Sequence, residues 1–361
     1  MKKYVWAVSF GLALTAFTAY ISLDTFVLSS AYQTDTTQTN TSMFETLKEN
    51  SADKAVTNTE SNTDGTARDT PQNEQKKPPS GDGSGGAGHG KKRKRSDDTA
   101  AEKSDTESSA ERSSESAAAV PTISGDTYKD ENISITLTEY YRYNTKIYVA
   151  DVQLSSAEYL KTAFAEGTYG KNVTAKTSET AAANSALLAV NGDFYGARER
   201  GYVIRNGIVY RDTASDDDLL CIYADGTMKV ISQYEYTADE LVVQGVWQAF
   251  AFGPGLVRDG SITVSETDEV GRAMASNPRT AIGLISENHY LFVVSDGRTS
   301  ESEGLSLYQL AEFMKSLGAE TAYNLDGGGS STMYFDGRVI NNPTTNGKIK
   351  ERGVSDIVYI G

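Results

Sequence analysis
From residue 133 onward, apolar positions recur at two spacings, and these spacings divide the chain into strands and helices. Residues 133–137 and 146–152 alternate apolar and polar with period two around Arg142-Tyr143-Asn144-Thr145, which predicts a hairpin. Residues 203–205 and 208–210 flank Asn206-Gly207, and residues 219–223 and 228–231 flank Asp225-Gly226. Both dipeptides supply the positive φ that a two-residue hairpin turn needs. Asp336-Gly337 gives the same signal between 333–335 and 339–340. Short apolar runs at 186–190, 281–285, 290–294, 319–325 and 354–360 predict further strands, and 252–257 reads as a strand kinked by Gly253-Pro254-Gly255. Helices are predicted over 157–165, capped by Ser156 and ended by Gly167, around 178–183, and over 238–247. A fourth, over 307–317, places Leu307, Leu310, Ala311, Met314 and Leu317 on one face and stops at Gly318. Many strands, few helices and no internal repeat predict an α+β fold. It is a mixed, largely antiparallel sheet with a few packing helices, forming a single domain over residues 123–361.

The pattern before residue 123 is different. Lys2 and Lys3 precede an apolar run over residues 4–23, long enough to span a bilayer as a helix, with Trp6 and Tyr20 near its ends. The run is long for the core of a cleaved signal peptide, and Asp24 separates it from the small residues Ser29-Ser30-Ala31. Residues 1–31 therefore read as an uncleaved signal anchor in the cell membrane, with secretion after cleavage as the alternative. Either way the rest of the chain is expected outside the cytoplasm. Residues 32–122 are rich in Ser, Thr, Asp, Glu, Lys and Gly and poor in large apolar residues, the composition of a disordered tether. Its basic run Lys91-Lys92-Arg93-Lys94-Arg95 has the pattern of a nucleic-acid patch. In an exported tether that run is expected to have no role, or to touch an anionic wall polymer or lipid headgroups. His89 is expected to be solvated.

Composition narrows the chemistry. A net charge of −15 makes the chain a poor general binder of nucleic acid, whose phosphates need clustered cations. One cysteine, Cys221, excludes an intramolecular disulfide. Two histidines, His89 and His289, argue against a histidine-rich zinc site and leave little room for a Ser-His-Asp triad. Carboxylates, arginines, hydroxyls, backbone amides or an oxygen-bound hard cation must do the work.

The most informative stretch is Asn324-Leu325-Asp326-Gly327-Gly328-Gly329-Ser330-Ser331. Three consecutive glycines suit a tight turn or a backbone that approaches a ligand closely, and successive free N–H groups line a concavity for an anion. A glycine-rich hairpin turn and an anion cradle beside the acid Asp326 are both open readings. Asp193, after Asn191-Gly192, and Asp296, before Gly297-Arg298, end two other predicted strands. If those strands are neighbours, the three carboxylates converge, and Arg279 faces the same cleft. Each aspartate also has a plain reading as a turn residue; Asp225 and Asp336 are assigned to turns outright. The same oxygens, with Asn191 and backbone carbonyls, offer a rival Ca²⁺ or Mg²⁺ site, although no EF-hand spacing is present.

Five motifs occur in order: Asn191-Gly192-Asp193-Phe194-Tyr195, Asn277-Pro278-Arg279-Thr280-Ala281-Ile282-Gly283, Ser295-Asp296-Gly297-Arg298, the glycine-rich stretch, and Arg352-Gly353-Val354-Ser355-Asp356. Together they resemble the phosphodiester glycosidase domain family, over about residues 187–361. The resemblance implies removal of a sugar joined through its anomeric carbon to phosphate, in cell-surface or exopolysaccharide metabolism. It implies a site of Asp326, Asp296 and Asp193 as catalytic carboxylates, with Arg279, Arg298, Asn191, Gly327, Gly328, Gly329, Ser330 and Ser331 around the substrate. Arg279 and the loop amides are expected to hold the phosphate. A glycan or sugar-phosphate is the expected partner, and a non-catalytic surface module that binds an anionic polysaccharide is the alternative.

Overall fold
In the computed structural model, residues 5–26, 28–34, 41–60, 122–269 and 276–361 are described. Its predicted hairpins all form. Strands Ile133–Arg142 and Thr145–Leu154 pair around Tyr143 and Asn144, both at positive φ. Asn206-Gly207, Asp225-Gly226 and Asp336-Gly337 close the other three turns, and Asp225 Oδ1 accepts from the Thr227 N–H at 2.9 Å.

Among the described residues every strand pairing is antiparallel, and three sheets carry the domain. The largest runs Ser261–Ile262, Gly255–Arg258, Thr321–Asn324, Thr280–Ser286, His289–Ser295, Thr145–Leu154, Ile133–Arg142, Thr127–Lys129 and Thr122–Ser124. A five-stranded sheet orders Arg338–Val339, Met333–Phe335, Leu188–Asn191, Asp356–Ile360 and Leu160–Phe164. The other five-stranded sheet orders Ile208–Arg211, Val203–Arg205, Val246–Ala251, Asp218–Tyr223 and Met228–Ser232. One apolar core draws on all three, with Phe292 and Tyr323, Val190 and Phe335, and Leu220 and Phe250 all buried. The helix Leu307–Ser316, with Ser306 as its cap, buries its predicted apolar face in a second core beside the largest sheet.

One predicted helix is mostly strand and another ends early. Ser156 does cap a turn, accepting from the Glu158 N–H at 3.3 Å, but the turn spans only Ala157–Tyr159. Leu160–Phe164 then pairs with Asp356–Ile360, because tertiary pairing outweighs a local helical preference. The helix expected over 238–247 stops at Val243, and Gly245 turns the chain into the wholly buried strand Val246–Ala251. His289 and Cys221 have structural roles: the ring lies 2.9 Å from Asp151, and the thiol is buried in a strand.

Before residue 61 the structure departs further from expectation. The apolar run forms the helix Val5–Phe26, with Phe10, Leu12, Leu14 and Phe17 exposed. The membrane-spanning anchor expected there is not supported: among the described residues no helix is long and apolar enough to cross a membrane. Across the boundary between the expected anchor and tether, Ser30–Thr34 pairs with Thr168–Lys171, and within the expected tether Thr41–Glu60 is helical. Met43, Phe44 and Leu47 fall at helical spacing and form a small stripe that packs against Trp247, with the Phe44 and Trp247 rings edge to face at 5.0 Å. The surrounding polar composition hid this stripe. The remainder of the expected tether, with His89 and the basic run 91–95, lies outside the described residues.

Burial of Phe44 predicts a measurable coupling between that helix and the domain. Phe44→Ala, in a Trp6→Phe background, is expected to lower stability by about 3 kcal/mol and red-shift Trp247 emission. Unchanged emission and denaturation midpoint would show that the helix does not dock in solution.

Candidate active site
The glycine-rich loop joins two sheets. It leaves the largest sheet at Asn324 and enters a five-stranded sheet at Met333. Asp326 begins it and is held from behind: its N–H donates to the Gly192 carbonyl at 3.3 Å, and Asn191 Nδ2 donates to its carbonyl at 2.7 Å. Asn191 Oδ1 accepts from Thr280 Oγ1 at 2.8 Å and from the Thr332 N–H at 3.3 Å, so this one side chain ties both ends of the loop to a neighbouring strand. Asn191 is thus a support of the site.

The Asp326 carboxylate has three kinds of partner. Oδ1 accepts from the Gly327 N–H at 2.9 Å; Oδ2 accepts from Ser330 Oγ at 2.5 Å and Arg352 Nη2 at 2.9 Å. Arg352 also donates to Ser330 Oγ. Burial pushes the Asp326 pKa up, and it stays above the usual carboxylate value although Arg352, Ser330 and the Gly327 amide pull it down.

The loop amides are not an open nest. Besides the Gly327 N–H on its own carboxylate, Gly328 donates to the Pro278 carbonyl at 2.8 Å, Ser330 to Gly327 at 3.3 Å and Ser331 to Gly328 at 3.2 Å. Only the Gly329 N–H is outside these bonds, so an anion here must be held chiefly by guanidinium groups. Arg298 is positioned for this. It is exposed, its Nε and Nη2 donate to Asn277 Oδ1 at 3.2 and 2.8 Å, and among the described residues no carboxylate pairs with it. Its guanidinium lies over Gly328, where a Cβ would sit 3.0 Å from Nη2; Gly328 is also at φ 64°, so glycine is required twice over.

Arg279 is differently employed. It runs beside Gly327, but its Nη2 donates to Glu269 at 2.9 Å and its Nε to the Leu305 carbonyl at 2.9 Å. Burial lowers its pKa, against the pull of Glu269. Two of its three nitrogens are thus engaged, so the expected grip on phosphate falls to Nη1 in this state.

Asp296 and Asp193 do not touch Asp326. Asp296 accepts from the Asn342 N–H at 2.7 Å, from Asn342 Nδ2 at 3.1 Å and from Tyr148 OH at 3.3 Å. It thereby fixes the base of the hairpin Thr344–Thr345 and Lys348–Ile349, whose Thr345 Oγ1 donates to the Gly329 carbonyl at 3.3 Å. Asp193 Oδ2 accepts from Arg205 Nη2 at 3.0 Å and the Ala251 N–H at 3.2 Å, and Oδ1 accepts from the Tyr195 N–H at 3.0 Å. Arg205 Nε reaches Asp356 Oδ2 at 2.8 Å, and the guanidinium lies 4.2 Å from the Phe250 ring centroid. Burial works against the Arg205 charge, but Asp193 and Asp356 outweigh it and raise its pKa.

Asp356 stands between the two clusters. A Cβ on Gly192 would collide with its carboxylate, so only glycine fits there. Its Oδ1 is buried with no protein partner. Burial pushes its pKa up to about 7; Arg205 opposes the rise, and the charges of Asp193 and Asp326 add to it. Asn324 Oδ1, Ser331 Oγ and Thr332 Oγ1 are likewise buried without protein partners, so orphan polar atoms gather on both sides of the loop.

For Ca²⁺ or Mg²⁺, the carboxylates face arginines rather than one another, and no group of three potential ligands forms among the described residues. This donor set is not a hard-cation cage. Arg352, Arg205 and Asp356 were not picked as site residues from the sequence. Arg352 and Asp356 lie in the closing motif, which could have flagged them; Arg205 was read only as part of a hairpin.

Comparison with known proteins adds the family. Residues 184–361 match the family model described as phosphodiester glycosidase. This region of the chain belongs to the phosphodiester glycosidase family. The chain is 33% identical over 165 residues to the SPbeta prophage-derived uncharacterized protein YomE of Bacillus subtilis, covering 44% of this chain and 25% of that protein. It is 29% identical over 189 residues to the N-acetylglucosamine-1-phosphodiester alpha-N-acetylglucosaminidase of Mus musculus, covering 47% of this chain and 36% of that protein. The chain therefore spans about a quarter to a third of the length of these relatives. The glycosidase-family domain also shares its fold with the zebrafish enzyme's catalytic domain, at a TM-score of 0.51 and 20% identity, over 68% of this chain and 86% of that one.

Asp356 gives the phosphodiester glycosidase domain a predictable pH response. With its pKa raised from 3.8 to about 7 on folding, the native state binds the extra proton between those values. Its contribution is therefore full below about pH 4 and is lost as pH rises through 7. The urea midpoint is expected to fall from pH 5 to pH 8, and to fall less in Asp356→Asn. An equal fall in both proteins would remove Asp356 as the source.

Proposed function
We propose that the domain hydrolyses a glycosyl phosphodiester, separating a sugar from phosphate at the anomeric carbon. The observation that carries this reading is a buried carboxylate, Asp326, bonded to Arg352, with the Arg298 guanidinium over Gly328 of the same loop. The family match supports the same reaction class. The murine relative's name makes an N-acetylglucosaminyl group the first sugar to test.

A phosphomonoester leaves well, so a strong general acid is less needed than in an ordinary glycosidase, and anion stabilisation matters more. In this reading Arg298 and Arg352 take the phosphate oxygens, as guanidinium does in bidentate form. Asp326 faces the sugar and acts as nucleophile or as base for water at an oxocarbenium-like centre. Its raised pKa keeps it competent to exchange a proton. Asp296 serves by holding the hairpin that leads to Arg352, and Asp193 by fixing Arg205 behind the loop. Arg279 lines the loop and offers Nη1 to the phosphate while Nε and Nη2 stay on Leu305 and Glu269.

The test is release of sugar and a phosphomonoester from an N-acetylglucosamine-1-phosphodiester. Asp326→Ala is expected to lose at least about 100-fold in kcat, and Arg298→Ala to lose about 10-fold or more in kcat/KM. Wild-type turnover no higher than that of Asp326→Ala across a panel of such substrates would leave a surface module that binds anionic glycan.

The exported location belongs to the same proposal. It is supported by Lys2 and Lys3 ahead of the apolar run over residues 4–23. An exported domain held at the cell surface is expected to be clipped from intact cells by added protease. Protection until lysis would overturn that orientation.

A further inference from the structure
A second cluster of cations surrounds a cavity of about 170 Å³, between the strand Thr168–Lys171 and the turn Tyr195–Ala197. None of the residues bonded to the Asp326 carboxylate lines it. We propose that this cavity binds a phosphate-sized tetrahedral oxyanion, held by Arg211, Lys171 and the hydroxyl of Tyr169. The site is separate from the Asp326 loop and does not depend on the reaction assigned to that loop.

Backbone and rings make the room. Gly170 and Gly196 are in the cavity wall, and neither tolerates a side chain. A Cβ on Gly170 would sit 2.3 Å from the Ser30 carbonyl oxygen, and one on Gly196 would sit 2.3 Å from Ser355 Oγ. The Tyr169 and Tyr195 rings stack at 5.1 Å, with Phe164 and Tyr210 packed against Tyr169 at 5.5 and 5.2 Å. Tyr32, from the strand Ser30–Thr34, meets the Tyr169 ring at 5.8 Å and completes the wall. Water takes about 30 Å³ per molecule, so the space admits a small oxyanion with a few waters.

Charge selects the ligand. Arg211 is half-buried, and among the described residues no carboxylate pairs with it. Its Nε donates to the Gly201 carbonyl at 2.6 Å, and its Nη1 to the Tyr195 and Arg198 carbonyls at 3.1 and 2.5 Å. These carbonyls fix the guanidinium and satisfy two of its nitrogens, but they do not neutralise it. Burial lowers the Arg211 pKa against the pull of Tyr169 and of Asp193, a carboxylate that Arg205 already holds. A cation drawn out of water without a partner is costly, and an anion beside it offsets that cost. Lys171, on the neighbouring wall, meets Glu199 at 3.7 Å, and Glu199 lies mostly in water. Arg198 takes no part, because Asp217 holds it at 2.6 Å. Tyr169 is buried, and among the described residues its hydroxyl has no hydrogen-bond partner. Donors on separate walls suit a tetrahedral oxyanion, whereas a carboxylate takes two parallel donors in one plane.

The experiment follows glycine amides by NMR in the full chain, titrated with inorganic phosphate and, at matched ionic strength, with acetate. Gly170 and Gly196 report this cavity, and Gly328 and Gly329 report the loop, so phosphate at either place is read separately. Saturable shifts of Gly170 and Gly196 are expected with phosphate and not with acetate. Arg211→Met is expected to raise their midpoint at least about tenfold and Tyr169→Phe about threefold, with the loop glycines behaving as in wild type. Tyr169→Phe keeps the stacked ring and removes one hydroxyl, so it decides the outcome should Arg211→Met not fold. Shifts that do not saturate, acetate shifts with the same midpoint, or a midpoint unmoved by the substitutions would each overturn the site.

Discussion
A guanidinium buried between two carboxylates sets the geometry of the whole site. Arg205 ends a strand of one five-stranded sheet, Asp356 begins a strand of the other, and Asp193 follows the strand Leu188–Asn191. All three side chains are almost wholly out of water. Breaking such a group by removing one partner costs about 3–5 kcal/mol, because it leaves an uncompensated charge inside. An apolar trio of the same shape need not be less stable, so the value of the triad lies in the arrangement it fixes. Asp356 presses on Gly192, the Gly192 carbonyl takes the Asp326 N–H, and Asn191 takes the Asp326 carbonyl. The Asp326 carboxylate is thus located by its backbone, which leaves its side chain to the loop and Arg352.

Charge at the loop runs against the charge of the chain. The protein carries a net −15, yet the glycine loop is flanked by Arg279, Arg298 and Arg352. A local positive site in an acidic surface focuses an anionic group on one point instead of holding polyanions along a face.

Much of the fold was readable because its signals are local. Asn206-Gly207 and Asp225-Gly226 fix their turns without help from distant residues, and the apolar stripe of Leu307–Ser316 is complete within the helix. Leu160–Phe164 was misread as helix because its strand character comes from Asp356–Ile360, far along the chain. The site divides in the same way. Asp326, Ser330 and Arg298 stand out beside glycines. That the loop amides are spent on the loop itself, that Arg279 turns to Glu269, and that Asp296 anchors Asn342 are facts of packing with no local mark. The helix Thr41–Glu60 was missed because only Met43, Phe44 and Leu47 make its stripe, within a strongly polar background.

The family match begins at residue 184, whereas the largest sheet does not. His289–Ser295 pairs on one side with Thr280–Ser286 and on the other with Thr145–Leu154, residue by residue from His289 opposite Gln153 to Ser295 opposite Ile147. A chain cut at the family boundary would turn this apolar central strand into an open edge, with a row of unpaired backbone groups ready to template another molecule. It would also strip Leu160–Phe164 from the strand that carries Asp356. The segment that kinship recognises is therefore smaller than the body that folds, and a soluble fragment has to be cut to the sheet.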